Sequence, residues 1–326
     1  MYYREYGRTT ESAKNLKYRL FEKDTNNLLA EGRTDDQGAT KRVVTEGPKH
    51  LEIFIFRATD DQKGEWKKVN DAYLTTSEYK DSKEMAYIPK GHVFFDIRYI
   101  NAIKDPAQSF KKAAETVKRK TRGGGSFDKY RSDVWWSFDV TSECDIKARW
   151  EELAKLLQEF NMEVQEGHIF THANKQDPKN AGLEFAEVVG CDQDATLKLR
   201  EIEKMPKLKW SNRSILYLYG CRSGIPIDPP GINPFSEYNS LRIADYFFEN
   251  QDMSRIVALQ GFGYFSYSPT VYQRIADDVN DTRDIYLAAF RRMRNVSDSN
   301  AWCVKHIRDD CERGDLTLIE PYTRTR

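Results

Sequence analysis

Glycine and proline are scarce in this chain, with 18 and 11 residues among 326. Together they make up about 9% of it, below ordinary usage, which excludes collagen-like repeats and Pro/Gly-rich low-complexity chains. Long apolar runs are also missing. No window approaches the ~18 consecutive apolar residues of a bilayer-spanning helix, and the opening MYYREYGRTTESAKNLKY lacks the apolar segment of a secretory signal. The expectation is a chain made in the cytoplasm without an N-terminal export signal and without a membrane span. Charge of one sign is absent too: 51 Lys+Arg balance 51 Asp+Glu at a pI near 7.0, which argues against a general nucleic-acid or membrane-surface binder. Cysteine is limited to Cys144, Cys191, Cys221, Cys303 and Cys311. An odd count without a signal peptide does not read as a disulfide framework, and at least one thiol is left free.

What is present is the profile of a folded soluble protein, 39% hydrophobic and 13% aromatic. At ~150 residues per domain the length suggests two domains. From Leu16 to about Tyr99 short strands alternate with turn chemistry. Tyr18 to Phe21 starts a strand, Asp24 to Asn27 turns, Leu28 to Glu31 returns and Thr34 to Gly38 turns again. His50 to Phe56 and Val93 to Ile100 supply further β-rich runs, so the first 103 residues predict a small antiparallel β-sandwich. Residues 104–132 follow as a helix from Pro106 to Lys120, with Phe110, Ala113, Ala114 and Val117 on one stripe, and a Gly123-Gly124-Gly125 linker.

Residues 133–326 change to alternating strands and helices. Val134 to Val140 reads as a buried strand, and Asp145 as the cap of a helix whose face is Ile146, Trp150, Leu153, Leu157 and Phe160. Further strands are predicted over Gly167 to His172, Leu183 to Val188, Ser214 to Tyr219, Arg255 to Gln260 and Leu316 to Ile319. Helices are predicted over Ala195 to Met205, Tyr238 to Glu249, Arg283 to Arg294 and Ala301 to Cys311. The fold class is therefore α/β, a mostly parallel sheet covered on both faces.

In such sheets ligands gather outside the carboxyl ends of the strands. His172 ends one strand and Cys221 follows another, and a thiol becomes a nucleophile when an imidazole stabilises its thiolate and later protonates the leaving group. The segment Gly220-Cys221-Arg222-Ser223-Gly224 is small and polar, and main-chain amides of Gly220, Ser223 and Gly224 offer support for an oxyanion. Arg222 offers a charge beside the thiol. The bland alternative is an inert, buried cysteine. His168 competes as a base, but it lies four residues nearer the strand's amino end and reads as structural. Asp139, Glu143 and Asp177 read as solvated loop acids more readily than as a pocket for basic side chains. Cys303, His306 and Cys311 read as a packed helix face, Cys144 and Cys191 as packing residues, and neither a metal nor a cofactor is expected.

Two resemblances add to this. Ile169-Phe170-Thr171-His172, the short Gly182-Leu183-Glu184-Phe185 strand and Ile215 to Cys221 resemble caspase-like cysteine peptidases, in the style of bacterial toxin-autoprocessing and CHAT-type domains. The resemblance spans roughly Val134 to Phe265 and implies a His172/Cys221 dyad that cleaves a peptide bond through a thioester. Where the family has Gly after the His, this chain has Ala173-Asn174. In the first domain, Tyr18-Arg19-Leu20, the stretch Leu28 to Thr40 and Leu51-Glu52-Ile53 resemble transthyretin-like modules of type VI secretion effectors and spike proteins. That resemblance implies a docking module in a toxin secreted into a target cell. Its partners would be a protein or peptide substrate, a secretion spike protein and a cognate immunity protein. The alternatives are a non-catalytic caspase-like adaptor and a cysteine amidase acting on cell wall.

Overall fold

The computed structural model describes residues 2–6, 13–47, 49–69, 85–101, 108–129, 132–174, 180–185, 195–220, 223–224, 226–227, 242–259 and 322–326. Two compact units emerge. The first comprises Met1–Val93, Asp128–Trp136 and Lys155–Glu163, and the second Phe94–Phe127, Ser137–Ala154 and Val164–Arg326. Among the described residues no helix is long and apolar enough to cross a membrane.

The first unit contains β1 (Tyr2–Tyr6), β2 (Lys17–Glu22), β3 (Leu28–Arg33), β4 (Leu51–Ala58), β5 (Gly64–Lys68) and β6 (Met85–Pro89). Four of them form an antiparallel sheet in the order β3-β2-β4-β5. Period-two alternation decides its faces: Tyr18 pairs with Ile55 and Leu20 with Ile53, and these side chains are all buried. Ala13, Leu16 and Leu51 complete that core. The other face carries Arg19 over the Trp66 ring at 4.2 Å, Phe21 edge-on to Phe54 at 5.6 Å, and Phe56 stacked on Phe160 at 5.8 Å. The expected antiparallel pairing of these strands is present, whereas β1 and β6 pair in parallel, outside an all-antiparallel scheme.

The Thr34 to Gly38 turn works as its residues predict. Asp35 Oδ1 accepts from the main-chain N–H groups of Gln37 (2.9 Å) and Ala39 (2.8 Å), and Gly38 takes a left-handed φ of 76°. Asp35→Ala is expected to lower the first unit's unfolding free energy by about 1 kcal/mol, since two amides lose their acceptor but can turn to water. Urea unfolding followed by Trp66 fluorescence reads this, and an unchanged midpoint would remove the turn from the list of stabilising contacts.

A six-stranded sheet has the order β15-β14-β13-β9-β7-β8. These strands are β7 (His92–Tyr99), β8 (Val134–Val140), β9 (Glu163–Phe170), β13 (Trp210–Leu218), β14 (Arg255–Ala258) and β15 (Tyr322–Thr325). The run from Val93 to Ile100, expected in the sandwich, is β7 of this sheet. β9, β13 and β14 run parallel and β15 antiparallel. β7 and β8 also run the same way, because Asp96 meets Ser137 and Arg98 meets Asp139 at a constant offset, and Ile100 N–H donates to Val140 O at 2.8 Å. Counted in chain order the sheet reads 2-1-3-4-5-6, with its reversal between β7 and β9.

Helices cover both faces. On one side α2 (Glu143–Glu159) sets Trp150 edge-on to Phe95 at 5.9 Å and within 6.0 Å of Phe247 of α4 (Ile243–Asn250). Gly167 is needed there, because a Cβ on it would stand 2.5 Å from the Phe95 ring. On the other side lies α1 (Ser109–Arg122), with Phe110, Ala113, Ala114 and Val117 buried as the stripe predicts. The Gly-rich stretch is the C-cap of α1, with Gly123 N–H donating to Arg119 O and Gly124 N–H to Thr121 O, both at 3.1 Å.

Three local expectations change. The cap of α2 is Ser142, whose Oγ accepts from Asp145 N–H at 3.2 Å, while the Asp145 carboxylate reaches back to Thr141 N–H at 2.9 Å. Residues 196–202 form β12 (Thr196–Lys198) and a single helical turn, α3 (Leu199–Ile202), where a longer helix was expected. Cys144 is disulfide-bonded and is not simply a packing residue. The elements predicted over Arg283 to Arg294, Ala301 to Cys311 and Leu316 to Ile319 lie outside the described residues.

Candidate active site at the strand ends

The registers Leu218 to Ile169 and Leu218 to Ala258 bring the carboxyl ends of β9, β13 and β14 to one edge. His172 does not end β9. The sheet strand stops at Phe170, and after Thr171 the chain enters β10 (His172–Asn174), which pairs antiparallel with β11 (Gly182–Glu184) and through it with β12. The bend is fixed by Thr171 Oγ1, which donates to Glu184 O at 3.1 Å.

His172 therefore sits where the winding of the sheet reverses. Its ring meets Phe110 of α1 edge-on at 4.9 Å and Tyr99, the last residue of β7, at 5.8 Å. Phe185 backs Tyr99 at 5.8 Å. Tyr99, Phe110 and Phe185 are buried while His172 is exposed, so an aromatic shelf orients the imidazole at the surface.

β13 leads to the same place. Tyr219 N–H donates to Ile169 O at 2.9 Å, and Gly220 then packs so closely on β10 that a Cβ would stand 2.8 Å from Ala173 Cβ and 3.5 Å from His172 O. Gly220 O accepts from Ser223 N–H at 3.2 Å and from Ser223 Oγ–H at 2.9 Å, which ties Ser223 back to Gly220. Cys221 and Arg222 themselves lie outside the described residues, as do Asp177, Cys191, Cys303, His306 and Cys311. The Ser223 amide is thus spent on Gly220, and the Gly224 amide on Leu259 O at 2.8 Å. Both brace the turn, where the sequence offered them to an oxyanion. Among the described residues no group of three or more His, Cys, Asp or Glu is placed to hold a metal ion.

Behind the turn stands a cluster that sequence inspection misses. Arg242 Nε donates to Gly224 O at 3.0 Å, and Ala244 N–H donates to Ser223 O at 3.1 Å. The buried Asp245 carboxylate accepts from Arg242 N–H (2.9 Å), Tyr322 OH (2.5 Å) and Arg324 Nη1 (3.1 Å). Burial, then the Asp245 carboxylate, push the Tyr322 phenol from 10.0 up to about 12. A raised pKa means that the fold holds this proton more tightly than the unfolded chain does. The stabilisation is complete below pH 10 and is lost as the pH rises towards about 12. Wild type is expected to lose roughly 1 to 2 kcal/mol more than Tyr322→Phe over that window, the ring being partly solvated. Urea unfolding at several alkaline pH values measures the difference, and parallel slopes would show that the phenol is not the titrating group.

His168 is buried within the sheet and belongs to a different arrangement. Its Nε2 lies 2.9 Å from Glu166 Oε1 and its Nδ1 3.0 Å from Tyr219 OH. The carboxylate assigns the proton to Nε2, so that Nδ1 accepts from the phenol. The ring stacks on Tyr217 at 5.0 Å, and Tyr219 stacks on Phe170 at 4.2 Å. This is the structural role expected for His168. Two of the acids weighed as a substrate pocket are engaged elsewhere: Asp139 accepts from Arg98 Nε at 2.5 Å, and Glu143, with Glu201, flanks Lys147. Burial works against the Lys147 charge, but the two carboxylates outweigh it and raise its pKa.

No family model matches this chain, and no curated protein matches it. Its chemistry is read from the strand-end geometry: an oriented, exposed imidazole and, in contact with the same β10 backbone, the residue that precedes a cysteine.

Proposed function

We propose that this chain is a bacterial secreted effector acting as a Cys/His-dyad cysteine peptidase, with Cys221 as nucleophile and His172 as general base and then general acid. His172 takes the Sγ proton, the thiolate attacks the scissile carbonyl, and the imidazolium returns the proton to the leaving amine. The resulting thioester is hydrolysed by water, for which His172 again serves as base. The observation that carries the reading is the contact of Gly220 with the His172–Ala173 backbone at the reversal of a mostly parallel sheet, the place where α/β sheets bind ligands. The caspase-like resemblance agrees with that placement. Delivery as an effector, a spike partner and an immunity partner rest on the transthyretin-like resemblance of the first domain.

A specific observation favours a second reading, a caspase-like adaptor without turnover: Ala173 follows the His, and the Ser223 and Gly224 amides are already bonded. Iodoacetamide separates the two. Substoichiometric labelling of the folded chain at pH 7, followed by peptide mass spectrometry, is expected to modify Cys221 at least ~10-fold faster than an ordinary thiol. Labelling of Cys221 only after unfolding would overturn the peptidase. Incubation with peptide libraries and with purified cell wall then distinguishes a peptide bond from a cell-wall amide.

A further inference from the structure

Helix α1 carries six cations, Lys111, Lys112, Lys118, Arg119, Lys120 and Arg122, against one acid, Glu115. Its apolar stripe from Phe110 to Val117 is buried. At about 3.6 residues per turn, all the cations but Lys120 fall together on the opposite face, within about 120° of arc. Lys112, Arg119 and Arg122 are exposed, and Lys111 and Lys118 half-buried. The acid of that face, Glu115, lies within electrostatic reach of Arg98 of β7, and Lys118 also reaches Ser137 Oγ at 3.4 Å. The Arg122 guanidinium lies over the Phe127 ring at 4.9 Å, which steadies it at the helix end. Helix stability does not account for this arrangement. Cations suit the last turn, where they complement the dipole, but Lys111 and Lys112 stand in the first turn, which holds no acid. Arg122 is repelled by Lys118, four residues before it, and by Arg119, three before it. A row of like charge kept against both effects fits an anionic partner. The zero net charge of the chain does not count against it, because the total hides cations concentrated on one face.

We infer that the outer face of α1 docks on the phosphate backbone of duplex DNA without reading its sequence. The row from Lys111 to Arg122 is about 16 Å long, the axial rise of about five nucleotides on one strand. Its cations neutralise phosphates that a regular polyanion presents in series, and the counterions released supply the affinity. A membrane surface fits less well. It takes a helix whose apolar side faces the lipid, and the apolar side of α1 is buried. A protein partner fits less well too, since it needs apolar anchors, and among the described residues of the second unit no large apolar side chain is exposed. The docking surface is independent of the peptidase reading.

Fluorescence anisotropy of the full chain with a labelled duplex of mixed sequence, about 20 base pairs long, measures binding between about 50 and 200 mM NaCl. Wild type is expected to bind with Kd on the order of micromolar at the low end. Its log K should fall against log salt with a slope of about −3 to −4, the value for about four neutralised phosphates. Arg119→Gln/Arg122→Gln is expected to weaken binding at ~50 mM about tenfold or more and to make the slope shallower by about 2, and Arg119→Lys/Arg122→Lys to restore both. Lys111→Gln/Lys112→Gln should act alike from the other end of the helix, and serves if the arginine variant does not fold. Lys63→Gln/Lys67→Gln, in the first unit, should leave affinity and slope as in wild type. Lack of binding at ~50 mM, an unchanged slope in both α1 variants, or an equal loss in the first-unit control overturns the inference. Binding to phosphatidylserine vesicles without binding to the duplex assigns the face to a membrane and overturns it as well.

Discussion

Replacing His172 with alanine is expected to lower peptide turnover by about a thousandfold while changing the unfolding free energy by less than about 1 kcal/mol. The two effects separate because of where the ring stands. It is exposed, and its contacts with Phe110 and Tyr99 are edge-on contacts to rings that are themselves buried against the sheet. Removing it uncovers the rim of the shelf and opens no cavity in the core, so packing supplies little of the loss. The chemical loss is large because an unassisted thiol at pH 7 is mostly protonated and the departing amine has no acid to receive a proton from. Peptide cleavage measured beside thermal unfolding tests both halves. Wild-type turnover in a folded His172→Ala variant would show that the imidazole takes no part. A turnover loss matched by a comparable collapse in stability would reduce His172 to a structural residue.

The level at which each feature is encoded explains what could be read from the residues alone. Alternation in Tyr18 to Phe21 and Leu51 to Phe56, and the Ile146, Trp150, Leu153, Leu157 face of α2, are local patterns with one period each, and the antiparallel sheet and the helix follow them. The same holds for the Asp35 turn, whose hydrogen bonds span four residues. Sheet membership is another matter. β7 reads like the strands before it, and only pairing with β8 and β9 across intervening helices assigns it to the six-stranded sheet. The departure of His172 from β9 is set by pairing with Glu184, twelve residues on, and by a single threonine hydroxyl. The Asp245 cluster joins residues 77 and 79 positions apart, and no spacing rule reaches so far. A faint signal did exist for Glu166 and His168: two polar residues at i and i+2 in a strand facing a helix must find partners, and Tyr219 on the neighbouring strand has the complementary donor.

That buried trio yields the largest expected loss of stability. His168→Phe should preserve the stack on Tyr217 and the volume of the site, yet destabilise the second unit by about 3 to 5 kcal/mol. The reason is electrostatic. Glu166 loses the imidazole N–H that faces its carboxylate, and the Tyr219 hydroxyl loses its acceptor, inside a layer that water does not reach. Removing the charge together with its partner has a different outcome, since the desolvation of the carboxylate disappears with it. The double variant Glu166→Leu/His168→Phe is therefore expected to stand closer to wild type than His168→Phe alone, with a coupling energy of roughly 1 to 3 kcal/mol between the two sites. Urea unfolding of the four proteins closes the cycle. Strictly additive costs would mean that Glu166 and His168 do not act as a pair, and that the strand-end residue Tyr219 owes its place to the ring stack alone.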